Sequence, residues 1–163
     1  MRVTAYVGLG SNLHDPGAQV DRALRALSEL PQTALLARSH SYRTRPWGGV
    51  AQPDFINAVA RVETGLDAQT LMDALLAIER RLGRTREGER YGPRIIDLDL
   101  LVYGDAVIDL PGLRIPHPRL AERAFVLVPL AELAPALVVP GQGDVTAMLA
   151  RIDAAERESV LAQ

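Results

Sequence analysis

Residues Ile95-Ile96-Asp97-Leu98-Asp99-Leu100-Leu101-Val102 alternate apolar and acidic side chains before closing on an apolar run. In an extended chain, successive side chains point to opposite faces. The pattern predicts a strand in which Ile96, Leu98, Leu100 and Val102 line one wholly apolar face, suited to a core. Asp97 and Asp99 share the other face, about 7 Å apart at the backbone. Two unit charges at that distance repel by about 2 kcal/mol at an effective dielectric of ~20. A fold that accepts this cost answers it with cations, either arginines or a divalent metal held by hard carboxylate oxygens. On spacing alone, the pair is equally a set of solvated carboxylates on an open sheet face.

The segment just upstream shifts that balance. Arg84, Arg86, Arg90 and Arg94 fall in a short stretch with Gly88, Gly92 and Pro93. Its plain reading is an exposed loop whose arginines pair with Glu87 and Glu89. All 18 basic residues of the chain are arginine, and none is lysine. Walker-type phosphate loops and Schiff-base chemistry are thereby excluded, because both need lysine. Any phosphate must be held by arginine forks, backbone amides or metal. An arginine loop running directly into a carboxylate pair matches the division of labour in phosphoryl transfer.

The 163 residues fit one domain, 1–163, and a 48% hydrophobic content predicts a packed core rather than disorder. No apolar run is long enough to span a membrane, and no secretory leader is visible. With no cysteine for disulfides or thiolate sites, a cytoplasmic location is expected. The net charge of −2 argues against general nucleic-acid binding.

Along the chain, 3–10 reads as a strand, and Asp15-Pro16 opens a helix in which Val20, Leu24 and Leu27 share a face. A second strand is predicted over 33–43, then a Pro- and Gly-rich loop over 44–53 that carries Trp47. A third strand follows over 54–63, with Phe55 and Asn57 on one face and Ile56 and Ala58 on the other. Asp67 caps a second helix with the stripe Leu71, Leu75, Ile78 and Leu82, and Gly83 stops it. After the aspartate strand come a short strand over 106–108, a rigid Ile115-Pro116-His117-Pro118 link, and short helices over 125–133 and 144–152. The order βαββαβ predicts an α+β, ferredoxin-like sandwich: a mainly antiparallel sheet with helices packed on one face and chemistry on the other.

Gly8-Leu9-Gly10-Ser11-Asn12 resembles a dinucleotide fingerprint, but Leu13 stands where the third glycine belongs, so a tight strand-to-helix connection is predicted instead. Asn57 beside Phe55 sets an amide next to an aromatic wall, which suits a flat, hydrogen-bonding heterocycle. Phe125 and Trp47 are further candidates for that wall. His117, between prolines, is either a structural histidine or a phosphate contact.

Several of these segments, in order, resemble the 6-hydroxymethyl-7,8-dihydropterin pyrophosphokinases of folate biosynthesis. They are Gly8-Leu9-Gly10-Ser11-Asn12-Leu13, Ser41-Tyr42-Arg43-Thr44, Gln52-Pro53-Asp54-Phe55-Ile56-Asn57, the run from Arg90 through Asp97 and Asp99 to Leu101, and Ile115-Pro116-His117-Pro118. The resemblance implies transfer of pyrophosphate from the co-substrate ATP to the pterin's hydroxymethyl oxygen, with release of AMP. It implies two Mg²⁺ ions on Asp97 and Asp99, and catalytic arginines Arg84 and Arg94 in a loop, 84–94, that closes over the phosphates. Glu79, Leu100, Ile115, His117 and Arg123 match the family's nucleotide site. Thr44, Trp47, Phe55, Asn57 and Phe125 match its pterin site, the ring stacking between Phe55 and Phe125.

The sequence departs from the family pattern in a few places. Arg45 stands where a proline is frequent, Trp47 where a smaller apolar residue is, Phe55 where tyrosine is, Tyr91 where tryptophan is, and Pro118 where a polar contact is common. The expected partners are small molecules, with no nucleic acid or membrane, and the expected state is a monomer. The competing reading is a non-catalytic RNA-binding βαββαβ module, which shares the topology.

Overall fold

A computed structural model describes residues 2–45, 51–83 and 95–163. Nine residues of β1 (Val3–Ser11) lead into α1 (Pro16–Ser28). Asp15 caps that helix, its carboxylate accepting from the Ala18 N–H, and Pro16 occupies the first turn, where its missing N–H costs nothing. Then come β2 (Thr33–Arg38), β3 (Tyr42–Thr44), β4 (Phe55–Thr64) and α2 (Ala68–Arg81). The aspartates open β5 (Asp97–Tyr103), and a hairpin of β6 (Ile108–Leu110) and β7 (Leu113–Ile115) follows. A 3-10 turn at Leu120–Glu122 precedes α3 (Ala124–Leu133). The rest is a two-residue pair, β8 (Val138–Val139) and β9 (Gly143–Asp144), then α4 (Val145–Arg151), α5 (Ala154–Glu158) and β10 (Leu161–Ala162). No helix among the described residues is long and apolar enough to cross a membrane.

The central sheet runs β10-β3-β4-β1-β5, with β2 beside β4 beyond the end of β3, and its pairings are antiparallel. One face carries Ala5, Val7, Leu9, Ala58, Ala60, Val62, Ile96, Leu98 and Leu100. Onto it pack α1, through Val20, Ala23, Leu24 and Leu27, and α2, through Leu71, Leu75 and Ile78. The predicted helical stripes are those that are buried; Leu82, past the end of α2, is only partly so. Gly83 terminates α2 with φ +103°, a conformation that favours glycine.

Helices on a single face describe the βαββαβ core but not the whole chain. Beyond it, α3 and α4 cover one end of the opposite face, where Tyr6, Val59, Leu101 and Val102 meet Val126, Leu127, Leu130, Val145 and Met148. The uncovered end of that face carries the polar residues of interest.

Three sequence expectations are corrected. The strand expected over 33–43 is two strands. Between them, Ser39 donates its N–H to the Val59 carbonyl at 2.8 Å and accepts the Val59 N–H on Oγ at 2.9 Å. A side chain replaces a backbone acceptor there, so the ladder breaks while its hydrogen bonds are kept. Val102 does not share a face with Leu100. The β1–β5 register pairs Val7 with Leu100 but Tyr6 with Val102, so Leu101 is the extra residue of a bulge and the facing parity reverses beyond it. The strand placed at 106–108 lies instead over Ile108–Leu110, where a turn at Gly112 (φ +77°) lets it pair with Leu113–Ile115.

Candidate active site

Gly8 and Gly10 belong to the interior of β1, not to a strand-to-helix connection as the sequence suggested. Their register explains why they are glycines. Gly10 is paired on one side with Asn57 of β4 and on the other with Asp97 of β5; Gly8 is likewise flanked by Val59 and Asp99. Directly paired residues share a face. One row of the sheet thus reads Tyr42, Asn57, Gly10, Asp97, and the next reads Val59, Gly8, Asp99. Two strand spacings separate Asn57 from Asp97, about 10 Å, and glycine alone lies between them.

A side chain at Gly10 has no room. An added Cβ would stand 2.7 Å from Asn57 Oδ1 and 3.9 Å from the Phe55 ring. Glycine inside a strand marks a place where something must approach the backbone closely; that general signal was available in the sequence.

Asn57 is buried, and its amide donates to Thr44 Oγ1 at 2.7 Å. Because Thr44 is the last residue of β3 and pairs with Phe55, the hydroxyl sits diagonally across from the amide it holds. Its Oδ1 is the atom over Gly10. Thr44, Phe55 and Asn57 therefore come together as the sequence predicted, where β3 pairs with the start of β4. Phe125, on the first turn of α3, packs against Tyr42 and Ala124 beside them. Asn12, also buried, holds the approach to β4, donating to Gln52 Oε1 at 2.8 Å and to the Pro53 carbonyl at 2.9 Å.

On the other side of the glycine floor, Asp97 and Asp99 are half-buried on the edge strand, as alternation required. Arg123 Nη1 lies 3.8 Å from Asp99 Oδ2, and its guanidinium also stands over the Phe125 ring, 5.6 Å from the centroid. One cation thus faces both Asp99 and the Phe125 ring. Glu79, near the end of α2 and 3% exposed, accepts the Leu98 N–H at 2.7 Å, gripping the aspartate strand between its two acidic residues. Since alternate residues direct their backbone groups to the same side, Leu98 and Leu100 turn theirs away from β1, toward the open edge. The side chains of Leu100 and Ile115 are in the core, so only their backbones can meet a ligand.

His117 is tied to the same strand through its N–H to the Leu101 carbonyl, 2.9 Å. Its Nδ1 accepts the Arg119 N–H at 3.2 Å, which leaves the ring proton of the neutral form on Nε2 as a donor. Burial, with the charges of Arg123 and Arg119, lowers its pKa to about 4. The imidazole is therefore neutral at physiological pH. Trp47, Arg84 and Arg94 lie outside the described residues.

Asp97 and Asp99 fit a hard divalent cation: two same-face carboxylates, partly exposed, already met by a guanidinium. Among the described residues no group of three or more His, Cys, Asp or Glu forms a metal cluster. A protein that supplies only carboxylates leaves the remaining positions to water and phosphate, as is usual for Mg²⁺ in nucleotide sites.

Comparison with known proteins identifies the family. A family model described as 7,8-dihydro-6-hydroxymethylpterin-pyrophosphokinase (HPPK) matches residues 6–135. The chain is 50% identical over 135 residues to a 2-amino-4-hydroxy-6-hydroxymethyldihydropteridine pyrophosphokinase of Pseudomonas aeruginosa, covering 83% of each chain. It is 46% identical over 156 residues to the protein of the same name from Methylorubrum extorquens, covering 96% of this chain and 98% of that one. Among solved structures, Plasmodium falciparum HPPK-DHPS with pteroate superposes with a TM-score of 0.72 at 14% identity. An HPPK-DHPS in complex with substrates gives 0.70 at 13%. The match covers 93% and 92% of this chain but only 42% and 43% of those longer chains, and at such identity it speaks to fold alone.

Proposed function

The chain belongs to the 7,8-dihydro-6-hydroxymethylpterin-pyrophosphokinase family, and from that premise we propose how its residues divide the work. As a member it is a pyrophosphokinase of folate biosynthesis. In the proposed reaction the hydroxymethyl oxygen of 6-hydroxymethyl-7,8-dihydropterin attacks the β-phosphorus of ATP. The α–β bridging bond breaks, AMP departs, and the hydroxyl proton is lost.

The observation that carries this reading is the row Asn57–Gly10–Asp97, which puts an amide-and-aromatic slot and a carboxylate pair about 10 Å apart on one open floor. Asn57, pre-oriented by Thr44, reads the polar edge of the pterin, while Phe55 and Phe125 flank its ring and Trp47, outside the described residues, is a further pterin contact in this reading. Gly10 adds no side chain between Asn57 Oδ1 and Asp97, so the hydroxymethyl arm can run across it toward the carboxylates. Asp97 and Asp99 would hold two Mg²⁺ ions. When bound, these ions supply charge neutralisation on the triphosphate and ease deprotonation of the hydroxyl.

Arg123, His117 Nε2 and the backbones of Leu100 and Ile115 face the nucleotide. Glu79 fixes the strand on which the carboxylates sit. In this reading Arg84 and Arg94 balance the charge that develops on the phosphates, and the loop 84–94 closes over them. A neutral His117 suits the task, because a donor there adds no competing titration near pH 7.

The test is an AMP-release assay with purified protein, ATP and Mg²⁺, with and without the dihydropterin. Release that requires the pterin and stops with EDTA is the expected outcome. Pterin-independent release of ADP or AMP would overturn the assignment.

A further inference from the structure

A cluster of titratable groups lies outside the site, and the chemistry above does not use it. Glu132, in the last turn of α3, accepts hydrogen bonds from His40 and Tyr42, which lie just before and at the start of β3. Both of its carboxylate oxygens lie 3.1 Å from the His40 N–H, and Oε2 is 2.8 Å from His40 Nδ1. The Tyr42 hydroxyl donates to Oε1 at 2.5 Å. An ionised carboxylate can only accept, so the imidazole carries its proton on Nδ1. Burial acts to raise the Glu132 carboxyl but is outweighed by the bonds from Tyr42 and His40, which hold it below the ordinary range. Burial first, then the Glu132 bond, pushes the Tyr42 hydroxyl up to about 12, so the donor keeps its proton.

The position of Tyr42 gives this cluster a consequence. Its ring packs with Ala124 and Val160, and Phe125 leans on that group from α3. It is the cross-strand partner of Asn57, and it lies two residues before Thr44, whose hydroxyl holds the Asn57 amide. Strand β3 is only three residues long, with a break before it, so its own ladder gives it little stiffness. A planar ring stacked between two aromatic side chains needs them about 7 Å apart, twice a contact of about 3.5 Å. One wall is on the sheet and the other on α3.

We propose that Glu132 is a positioning residue that, through Tyr42, sets the separation between the Phe125 wall and the Phe55–Asn57 wall of the pterin slot. It ties α3 to β3 by one carboxylate and thereby selects for a flat bicyclic ring. The proposal rests on the pterin reading above.

Tyr42→Phe removes only the hydroxyl and keeps the ring; Glu132→Ala removes the whole tie; Glu132→Gln keeps the shape and one acceptor oxygen. In both Tyr42→Phe and Glu132→Ala the KM for the dihydropterin should rise by about tenfold, the scale of a hydrogen bond to a charged group. The KM for ATP should stay within about twofold, and Glu132→Gln should recover part of the loss. Melting curves run in parallel establish that each variant is folded at the assay temperature; if Glu132→Ala is not, Tyr42→Phe decides alone. A merely structural role would lower the melting temperature and leave both KM values unmoved, and that result overturns the proposal. So does an equal rise in both KM values. Wild-type protein that releases AMP without pterin would instead remove the pterin reading itself, and this inference with it.

Discussion

The two faces of the central sheet are built from the same residues of β1, β4 and β5 taken alternately, yet they are opposite in kind. The face under α1 and α2 is filled: Val7, Leu75, Ile96 and Leu100 are at most 1% exposed and belong to one continuous apolar cluster. The other face, beyond the cap of α3 and α4, is defined by what is missing from it. Gly8 and Gly10 carry no side chain; Gly10 lies among the Asn57 amide, the Phe55 ring and Asp97, while Gly8 lies between Val59 and Asp99 and against Leu101, where the floor meets the apolar cap. Filling stabilises the first face; emptiness makes the second usable. The contrast predicts that mutations on one face change stability and those on the other change turnover.

The largest separation of the two should come from Asp97→Ala. Pyrophosphoryl transfer is expected to fall by about 10³-fold or more, the loss typical of removing a preorganised charge contact, while the melting temperature changes by only a few degrees. Near-wild-type turnover in that variant would break the comparison outright. On the filled face, Leu75→Ala should cost about 3 kcal/mol of unfolding free energy, from lost burial plus the cavity it leaves. Both KM values should be unchanged at a temperature where the variant is folded; altered pterin affinity would show that the faces are not independent.

His117 is half-buried and close enough to Arg123 and Arg119 to feel their charges, and its pKa makes a pH test possible. Its folded value of about 4 lies below the ordinary 6.5, so the unfolded chain takes up the proton first as pH falls. Stability should therefore drop between about pH 6.5 and pH 4, by on the order of 2 kcal/mol once residual solvent screening is allowed for. Denaturation midpoints of His117→Asn should lose that part of the slope, and an undiminished slope would count against it. The smallest effect is expected from Gly10→Ala. The added methyl must displace Asn57 Oδ1 from 2.7 Å, raising the pterin KM about tenfold with ATP affinity retained. An unchanged pterin KM would mean that the floor is wider than the register implies.

Much of this was legible in the residues. Alternation around Asp97 and Asp99 put both carboxylates on one face, and the stripes of α1 and α2 identified the core helices. Asp15, Asp67 and Gly83 marked helix ends through chemistry confined to a few neighbouring residues. Phe55 and Asn57 were placed together for the same reason. What escaped was set by contacts between distant segments. Ser39 could not be known to satisfy Val59, so one strand was expected where there are two. Leu101 could not be known to bulge, because a bulge is a mismatch between two strands and each strand alone looks regular. Gly8 and Gly10 were read as a connection because their spacing resembles one, whereas their role depends on Asn57 and Asp97 arriving from either side.

The sequence by itself determined the chemistry and its local arrangement: a lysine-free, arginine-rich chain with two carboxylates on one strand face, an amide beside an aromatic ring, and motifs specific enough to imply a pterin and ATP. The arrangement follows from side-chain identity and from the two-residue and 3.6-residue periods of the backbone, whereas the pterin and ATP follow only from the resemblance to the family. Only the tertiary structure decided that Asn57 and Asp97 share one row across Gly10, with Asp99 in the next row beside Gly8. It also decided that Glu79 grips the aspartate strand and that Glu132 joins α3 to β3 through Tyr42. Each of these joins segments separated by tens of residues, and no local period carries the register between them.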